Sequence, residues 1–254
     1  KNMENLQTVQ EIFSDKLFRV PDYQRGYAWE KRQWQDLIDD LIDLPEGKEH
    51  YTGTIVLNRD SDDGVLREER GKQLRIFNIV DGQQRLTTIL ILLISISREL
   101  KEEGTRRALA RGIREDYIQI ADFEGRKHPR LRLNRDCHGY FQDNIISEEP
   151  TLRGPEIKSH ELLWGARQFF SDYLKAQKKD AEEYEKFLLN LHNKITNCMK
   201  FTVYSVPDAS DVGVIFEVMN NRGKPLSEME KVKNYLLYLT SKIPLASVAD
   251  VSND

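Results

Sequence analysis

One long apolar segment constrains the fold of this chain more than any other feature. Between Gln83 and about Leu100 the spacing is helical, and apolar residues occupy nearly every face: Leu86, Ile89, Leu90, Ile91, Leu92, Leu93, Ile94 and Ile96. A helix with so little polar surface belongs at the centre of a fold. The strand-like segment 75–80 runs directly into it. The sequence therefore predicts a turn at Asp81-Gly82 where a strand meets a buried helix.

The first hundred residues mix strands and helices, whereas the chain after residue 104 is mainly helical. The early patterns predict helices over 6–13 and 29–44, and strands over 18–20, 51–57 and 75–80. The later patterns predict helices over 106–120, 135–146, 159–178, 181–198, 212–219 and 227–239, with extended segments at 130–133 and 201–206. We therefore predict an α+β fold with a mixed core over 1–104 and a mainly helical lobe over 105–254, which returns to the core through 201–240.

The charge of the chain gives no general attraction for nucleic acid. A formal net charge of −4 over 254 residues means that any DNA contact must come from a local patch. The segment 105–135 offers one, because its four acidic residues are outnumbered by nine basic ones: Arg106, Arg107, Arg111, Arg114, Arg126, Lys127, Arg130, Arg132 and Arg135. This segment could contact a phosphate backbone, or it could be a solvated basic face.

The remaining composition indicates a cytoplasmic protein without a membrane contact. The longest apolar run is too short to cross a bilayer, and no signal peptide opens the chain. Cys137 and Cys198 suit a reducing compartment and lack metal-ligand spacing.

The Asp81–Arg85 turn has the chemistry of a phosphate site. The first turn of a helix carries N–H groups without intrahelical partners and a partial positive charge, and Gly82 would allow a phosphate to approach the backbone. Gln83 and Gln84 could position an attacking water, and Arg85 offers a planar cationic fork. The carboxylate of Asp81 could hold Mg²⁺. A simpler interpretation makes Asp81 an N-cap, with Gln84 completing a capping box.

Two nuclease patterns are poor matches. Pro21-Asp22 followed by Glu46-Gly47-Lys48 imitates a metal-binding nuclease motif, but the second part follows a proline in a turn instead of lying along a strand. The five histidines are scattered and do not form a His-Asn-His cluster. We predict that the chain is not a nuclease by itself.

Four ordered blocks of the sequence resemble a known family. They are Val20–Trp29 (VPDYQRGYAW), Tyr51–Leu57 (YTGTIVL), Ile79–Thr88 (IVDGQQRLTT) and Phe216–Ser227 (FEVMNNRGKPLS), the last followed by Lys231–Tyr235. Together they resemble the N-terminal domain of GmrSD-type, modification-dependent (type IV) restriction enzymes. The segment 105–200 adds only a general helical character.

The resemblance implies a ParB/sulfiredoxin-like core and a nucleotide site. It ties the Asp-Gly-Gln-Gln-Arg block to binding and hydrolysis of a nucleoside triphosphate. For such a reaction the chemistry of the residues makes Asp81, Gln83 and Gln84 the catalytic candidates and Asp81 the candidate ligand of Mg²⁺. The nucleotide-binding candidates are Gln24, Arg25, Gly82, Arg85, Thr87, Thr88, Asn220, Arg222 and Lys224. The implied role is regulation of a C-terminal or partner nuclease in anti-phage DNA defence.

Two hypotheses follow from these residues. In the first, Arg25 and the loop Asn220–Lys224 converge on a nucleotide held at Asp81–Arg85, because one helix terminus and one arginine neutralise only part of a triphosphate's charge. The alternative is a non-catalytic module that binds DNA or another protein, and nucleotide-independent DNA binding would distinguish it.

Overall fold

The computed structural model describes residues 5–59, 65–102, 106–151 and 153–206. Its helices are α1 (Val9–Ile12), α2 (Lys31–Asp43), α3 (Gln83–Glu102), α4 (Arg107–Ile113), α5 (Arg135–Tyr140), α6 (Lys158–Ala176) and α7 (Ala181–Asn193). Three π-helical turns continue α4, α5 and α7, over Arg114–Ile118, Phe141–Ile146 and Lys194–Cys198. Together with a mixed sheet, these helices confirm the predicted α+β class. The likeness to ParB and sulfiredoxin stays a prediction.

The sheet joins distant parts of the chain. Its strands in spatial order are β1 (Asn5–Thr8), β9 (Met199–Val206), β3 (His50–Arg59), β5 (Gln73–Asp81), β2 (Lys16–Arg19) and β8 (Leu131–Arg132), and β4 (Leu66–Arg67) also pairs with β5. Strand β5 is antiparallel to β3 and parallel to β2, and β9 is parallel to β3. A separate hairpin consists of β6 (Gln119–Ala121) and β7 (Lys127–Pro129).

Helix α3 occupies the centre of the core, as its apolar faces predict. Leu86, Ile96 and every residue of 89–94 have no exposed area. The helix packs against α4, α6 and α7, and its side chains share one hydrophobic cluster with Ile55 and Ile79 of the sheet. This packing holds the first turn of α3 at the end of β5.

The predicted helix over 6–13 is wrong in its first half. Residues Asn5–Thr8 form β1, because the edge of β9 supplies an antiparallel partner along these four residues. The helix begins only after Thr8, whose hydroxyl accepts a hydrogen bond from the Glu11 N–H at 3.1 Å. The Glu11 carboxylate accepts a hydrogen bond from the Thr8 N–H at 2.6 Å, which completes a capping box. Tertiary pairing therefore overrides the local helical pattern.

Three arginines from different helices cap the π-helical turn Phe141–Ile146. Arg98 donates to the Ile145 and Ser147 carbonyls at 2.7 and 2.8 Å, and Arg114 donates to the Ile146 carbonyl at 2.8 Å. Arg167 donates to the Asn144 carbonyl. Guanidinium groups at a helix C-terminus satisfy its unpaired carbonyls and oppose its dipole. These bonds connect α3, α6 and the π-helical turn that follows α4 at one point.

Several sequence predictions lie outside the described residues. They are the helices over 212–219 and 227–239 and the loop Asn220–Lys224 between them. Within the described part of the chain, no helix has the length and hydrophobicity needed to cross a membrane.

Asp122 holds the β6–β7 hairpin through its carboxylate. Its Oδ2 is 2.8 Å from His128 Nε2 and accepts from Arg126 Nε at 2.9 Å, and its Oδ1 accepts from the Arg126 N–H. The His128 bond, followed by the Arg126 bonds, holds the pKa of Asp122 well below its usual range. The charged carboxylate is therefore favoured more in the folded protein than in the unfolded chain.

This shift predicts an acid-dependent loss of stability. The charged Asp122 carboxylate contributes to the free energy of unfolding above the unfolded-state pKa of about 3.9. This contribution is lost as pH falls toward the lower folded-state pKa. We expect the free energy of unfolding of Asp122→Asn to fall less steeply than that of the wild type between about pH 5 and pH 2. Urea titrations across this range measure both slopes. Parallel slopes for the two proteins would show that Asp122 does not carry the effect.

Candidate functional site

The turn between β5 and α3 requires a glycine. Gly82 has φ of +97°, in the left-handed region that favours glycine. A Cβ atom built there would lie 3.1 Å from Ile55 Cγ1 and 3.2 Å from the Thr54 carbonyl oxygen. The backbone of β3 thus approaches the turn too closely for a side chain. This contact fixes the start of α3 against the sheet.

The first turn of α3 leaves backbone donors unpaired. The Leu86 N–H makes the first bond to the Gly82 carbonyl, at 3.1 Å, so the N–H groups of residues 83–85 have no intrahelical acceptor. Within the described residues none of these three makes a hydrogen bond, and the exposed Asp81 carboxylate accepts none. Asp81 ends β5 opposite Val56. The capping-box interpretation of Asp81 and Gln84 is therefore not what the structure shows.

Arg85 lies on the β3 side of this helix terminus. Its Nη1 would be 2.9 Å from a Cβ built on Gly53, whose φ is +125°. Burial lowers the pKa of the guanidinium, while the charges of Asp81 and Tyr51 act in the opposite direction. Among the described residues the guanidinium has neither a hydrogen bond nor an ion pair within 4 Å. Arg85 is thus a largely desolvated cation whose donors make no hydrogen bond to any described residue.

The loop 21–28 lies on the other side of the terminus and is tied to it by glutamines. Gln84 uses both amide atoms: Oε1 accepts from the Ala28 N–H at 2.8 Å, and Nε2 donates to the Gly26 carbonyl at 3.0 Å. The buried Gln24 donates to the Val80 carbonyl at 2.9 Å. Gln83 Nε2 reaches Gln24 Oε1 and the Arg25 carbonyl, each at 3.3 Å.

The two threonines of the block face the helix backbone and the core. Thr87 donates to the Gln83 carbonyl at 2.7 Å, and Thr88 donates to the Gln84 carbonyl at 2.8 Å. Thr88 is fully buried and lies 2.7 Å from the Tyr27 hydroxyl, which also accepts a bond from Trp34 Nε1. Tyr27 therefore belongs to the core.

The family of this chain follows from a comparison with models of known families. Residues 9–237 match the family described as GmrSD restriction endonuclease, N-terminal domain. The chain belongs to this GmrSD family. A comparison with curated proteins finds no match.

This GmrSD-family domain brings together most of the residues predicted for its site. Asp81, Gly82, Gln83 and Arg85 surround one helix terminus, and the Arg25 backbone is within hydrogen-bond reach of Gln83. Gln24 and Gln84 lie beside them and hold the loop. Thr87 and Thr88 turn away, as described above. Asn220, Arg222 and Lys224 lie outside the described residues.

Sequence reasoning missed two contributors to the site. Gly53 makes room for the Arg85 guanidinium at a register shift in the β3–β9 pairing. Asn134 caps α5 by accepting from the Cys137 N–H, and its Nδ2 donates to the Gln24 carbonyl at 2.9 Å. A glycine inside the strand pattern 51–57 was the available signal for the first, because such glycines mark bulges and close approaches.

The basic segment of this GmrSD-family domain is largely neutralised within the described residues. Arg130 is buried and donates to the Phe13 carbonyl. Ion pairs join Arg106 to Glu185, Arg111 to Glu115, Arg114 to Glu148, Arg126 to Asp122 and Arg135 to Asp22. Apart from Arg130, three of the nine cations have no ion pair with a described residue: Arg107, Lys127 and Arg132. DNA binding through 105–135 stays a prediction, with these three as its carriers.

Proposed function

We propose that the start of α3 binds a nucleoside triphosphate. The observation that carries this proposal is Arg85, a largely desolvated guanidinium without a partner among the described residues, beside a helix terminus with free N–H groups. Such a terminus attracts anions through its N–H groups and its dipole. Gly82 has no side chain to keep a phosphate away from the backbone. Arg85 would contact phosphate oxygens with two parallel hydrogen bonds.

A triphosphate needs more positive charge than these groups supply. Arg25 is exposed and belongs to the loop that Gln24, Gln83 and Gln84 tie to the terminus. Its side chain would reach the phosphates from the side opposite Arg85. Asn220, Arg222 and Lys224, which lie outside the described residues, are the further candidates to supply this charge and its hydrogen bonds. The ligand would then lie between Arg85 on the β3 side of the helix terminus and the loop 21–28 on the other side.

Asp81 fits the requirements of a magnesium ligand. Mg²⁺ is held in phosphate sites by one or two carboxylates together with phosphate oxygens and water. The Asp81 carboxylate is exposed and accepts no hydrogen bond within the described residues, so its oxygens are available. Those residues contain no cluster of three acidic, histidine or cysteine side chains that could hold a metal. The bound metal would therefore depend on the ligand's own phosphates.

The two glutamines would have different roles in hydrolysis. Gln84 uses both amide atoms to hold residues 26 and 28, so it is a positioning residue. Gln83 holds the loop only through Nε2, and its Oε1 accepts no bond from a described residue. That oxygen could orient a water for attack on the γ-phosphorus. The new P–O bond forms as the bond to the β-phosphate oxygen breaks, which releases nucleoside diphosphate and inorganic phosphate.

The family suggests what this chemistry would control. In a restriction endonuclease the N-terminal domain would act on a C-terminal or partner nuclease in DNA defence. Loss of the γ-phosphate would remove the group that holds the loop 21–28 and Arg85 around one ligand. Phosphate-dependent ordering of loops is a common switch mechanism. The alternative, a module without catalysis, would instead bind DNA equally well with and without nucleotide.

Arg85→Ala is expected to weaken triphosphate binding by roughly 1.5–3 kcal/mol, the size of a charge-assisted hydrogen bond. This corresponds to about a tenfold to 150-fold higher Kd. Calorimetric titration with each of the four ribonucleoside triphosphates and Mg²⁺ measures it. Arg32→Ala is the matched control, because Arg32 is exposed on α2. Unchanged affinity in Arg85→Ala would exclude this site.

A thermal-shift experiment tests the metal assignment separately. A ligand that binds only the folded protein raises the Tm. The Mg²⁺-dependent part of that rise should disappear in Asp81→Ala, while binding without Mg²⁺ should persist. An equal response to Mg²⁺ in both proteins would remove Asp81 as the metal ligand.

A further inference from the structure

A cavity lies apart from the helix terminus. It has a volume of about 450 Å³ and is formed by the end of α3, by α4 with its π-helical turn, and by the β6–β7 hairpin. Small-molecule sites in proteins commonly have volumes of about 300–1,000 Å³. None of the residues that surround the Gly82 turn lines this cavity. A ligand here would therefore be a different one from the triphosphate proposed above.

Cationic side chains predominate around the cavity. Five line it: Lys101, Arg107, Arg111, Arg114 and Lys127. They face three carboxylates, those of Glu69, Glu115 and Glu148, which leaves a net charge of +2. An excess of charge of one sign in a concave site concentrates ligands of the opposite sign.

The carboxylates neutralise only part of this set. Glu148 accepts a bond from Lys101 at 3.0 Å and lies 3.7 Å from Arg114 Nε, and Glu115 lies 3.7 Å from Arg111 Nε. Arg107 and Lys127 are exposed and have no ion pair with any described residue. One projects from α4 and the other from β7. Two walls of the cavity thus each present a cation available to a ligand.

The rest of the lining consists of two polar and three apolar residues: Ser97, Gln119, Ala110, Ile120 and Ala121. Ala110 of α4 and Ile120 of β6 contribute almost completely buried side chains, and Ala121 adjoins them. The cavity, at about 450 Å³, is much larger than a phosphate ion. Inorganic phosphate would leave most of it filled with water. The volume therefore favours an anion with an organic body.

We propose that this cavity binds a phosphate monoester of about the size of a nucleoside monophosphate. The phosphate would lie between Arg107 and Lys127, and the organic body would occupy the remaining volume beside Ala121. A phosphate monoester carries about −1.5 to −2 charges at pH 7, which matches the net charge of the cavity. The hydrogen bonds of Asp122 hold the β6–β7 hairpin together, and Lys127 is the first residue of β7. They therefore fix the position of Lys127.

The test uses the full chain and measures binding of deoxynucleoside 5′-monophosphates by calorimetry. Arg107→Gln/Lys127→Gln is expected to raise the Kd at least tenfold, because two charge-assisted contacts are lost. The control Lys31→Gln/Arg32→Gln makes the same change in charge on α2, which does not line the cavity, and should leave the Kd unchanged. Both pairs of side chains are exposed, so both variants should fold, and circular dichroism checks this.

Three results would overturn the proposal. They are no binding at millimolar monophosphate, equal binding of inorganic phosphate, and loss of binding in Arg85→Ala but not in the double variant. The last would place the monophosphate at the helix terminus and leave the triphosphate proposal intact. A 5′-phosphorylated oligonucleotide distinguishes the source of the ligand. If it binds more tightly than the free nucleotide and loses binding in the double variant, the phosphate belongs to a DNA end; otherwise it belongs to a free nucleotide.

Discussion

Gly82→Ala is expected to destabilise the fold and to abolish the stabilisation by triphosphate. The left-handed backbone at φ +97° costs a residue with a Cβ about 1–2 kcal/mol. The new methyl group would also press on Ile55 and on the Thr54 carbonyl, so β3 or the start of α3 must move. Because the N–H groups of α3 point from this turn, a shift there changes the proposed site directly.

Gly71→Ala separates the two causes. Gly71 also has a positive φ, +85°, but a Cβ built on it meets nothing within 4 Å. The Gly71→Ala variant should therefore lose only the stability that the left-handed backbone conformation costs, and triphosphate should still raise its Tm. Urea unfolding gives the stability of each variant, and a thermal-shift assay with triphosphate and Mg²⁺ gives the response. Equal losses of stability in the two variants would mean that the approach of β3 does not constrain residue 82.

Ile94→Ala is expected to lower the free energy of unfolding by about 2–5 kcal/mol. Ile94 has no exposed area and lies in the middle of α3, where the surrounding helices and sheet leave little freedom to fill a cavity. For a chain of this size the Tm should fall by roughly 4–20 °C.

The same substitution at Ile42 provides the comparison. Ile42 also lies in a helix, α2, but is 42% exposed, so its replacement should have a much smaller effect. Both changes introduce alanine into a helix, and the intrinsic helix propensity therefore cancels. Denaturant unfolding of the two variants measures the difference. A loss at Ile94 no larger than that at Ile42 would contradict the central position of α3.

Periodicity along the sequence predicted the helices and strands that have a strong apolar pattern and do not depend on a distant pairing partner. Helix α3 was predicted over 83–100 and spans Gln83–Glu102, and the strand predicted over 75–80 spans Gln73–Asp81. The helix predicted over 106–120 was too long, because α4 passes through a π-helical turn into β6. Local patterns do not contain the pairing partner that makes 119–121 a strand. The same limitation explains the error at residues 5–8.

The site was predictable where one continuous stretch forms it. The strand, the glycine and the helix start are consecutive, so Asp81–Arg85 could be identified from the order of the residues. The role of Gly53 depends on a guanidinium from another element, and that of Asn134 depends on a loop 110 residues earlier. The engagement of both Gln84 amide atoms likewise depends on where residues 26 and 28 lie. These contacts join residues that are far apart in the sequence, so residue spacing along the chain does not predict them.

Strand β9 has a consequence for how the chain folds. It lies between β1 and β3, and within the described residues β1 pairs with no other strand. These two pairings join residues 5–8 and 50–59 to 199–206. They therefore cost the loop-closure entropy of a long chain segment, and this cost arises late in folding. Such non-local pairing slows folding. During synthesis β1 and one edge of β3 therefore have no β9 to pair with until Met199–Val206 has left the ribosome. Unpaired strand edges expose the nascent chain to aggregation during that interval.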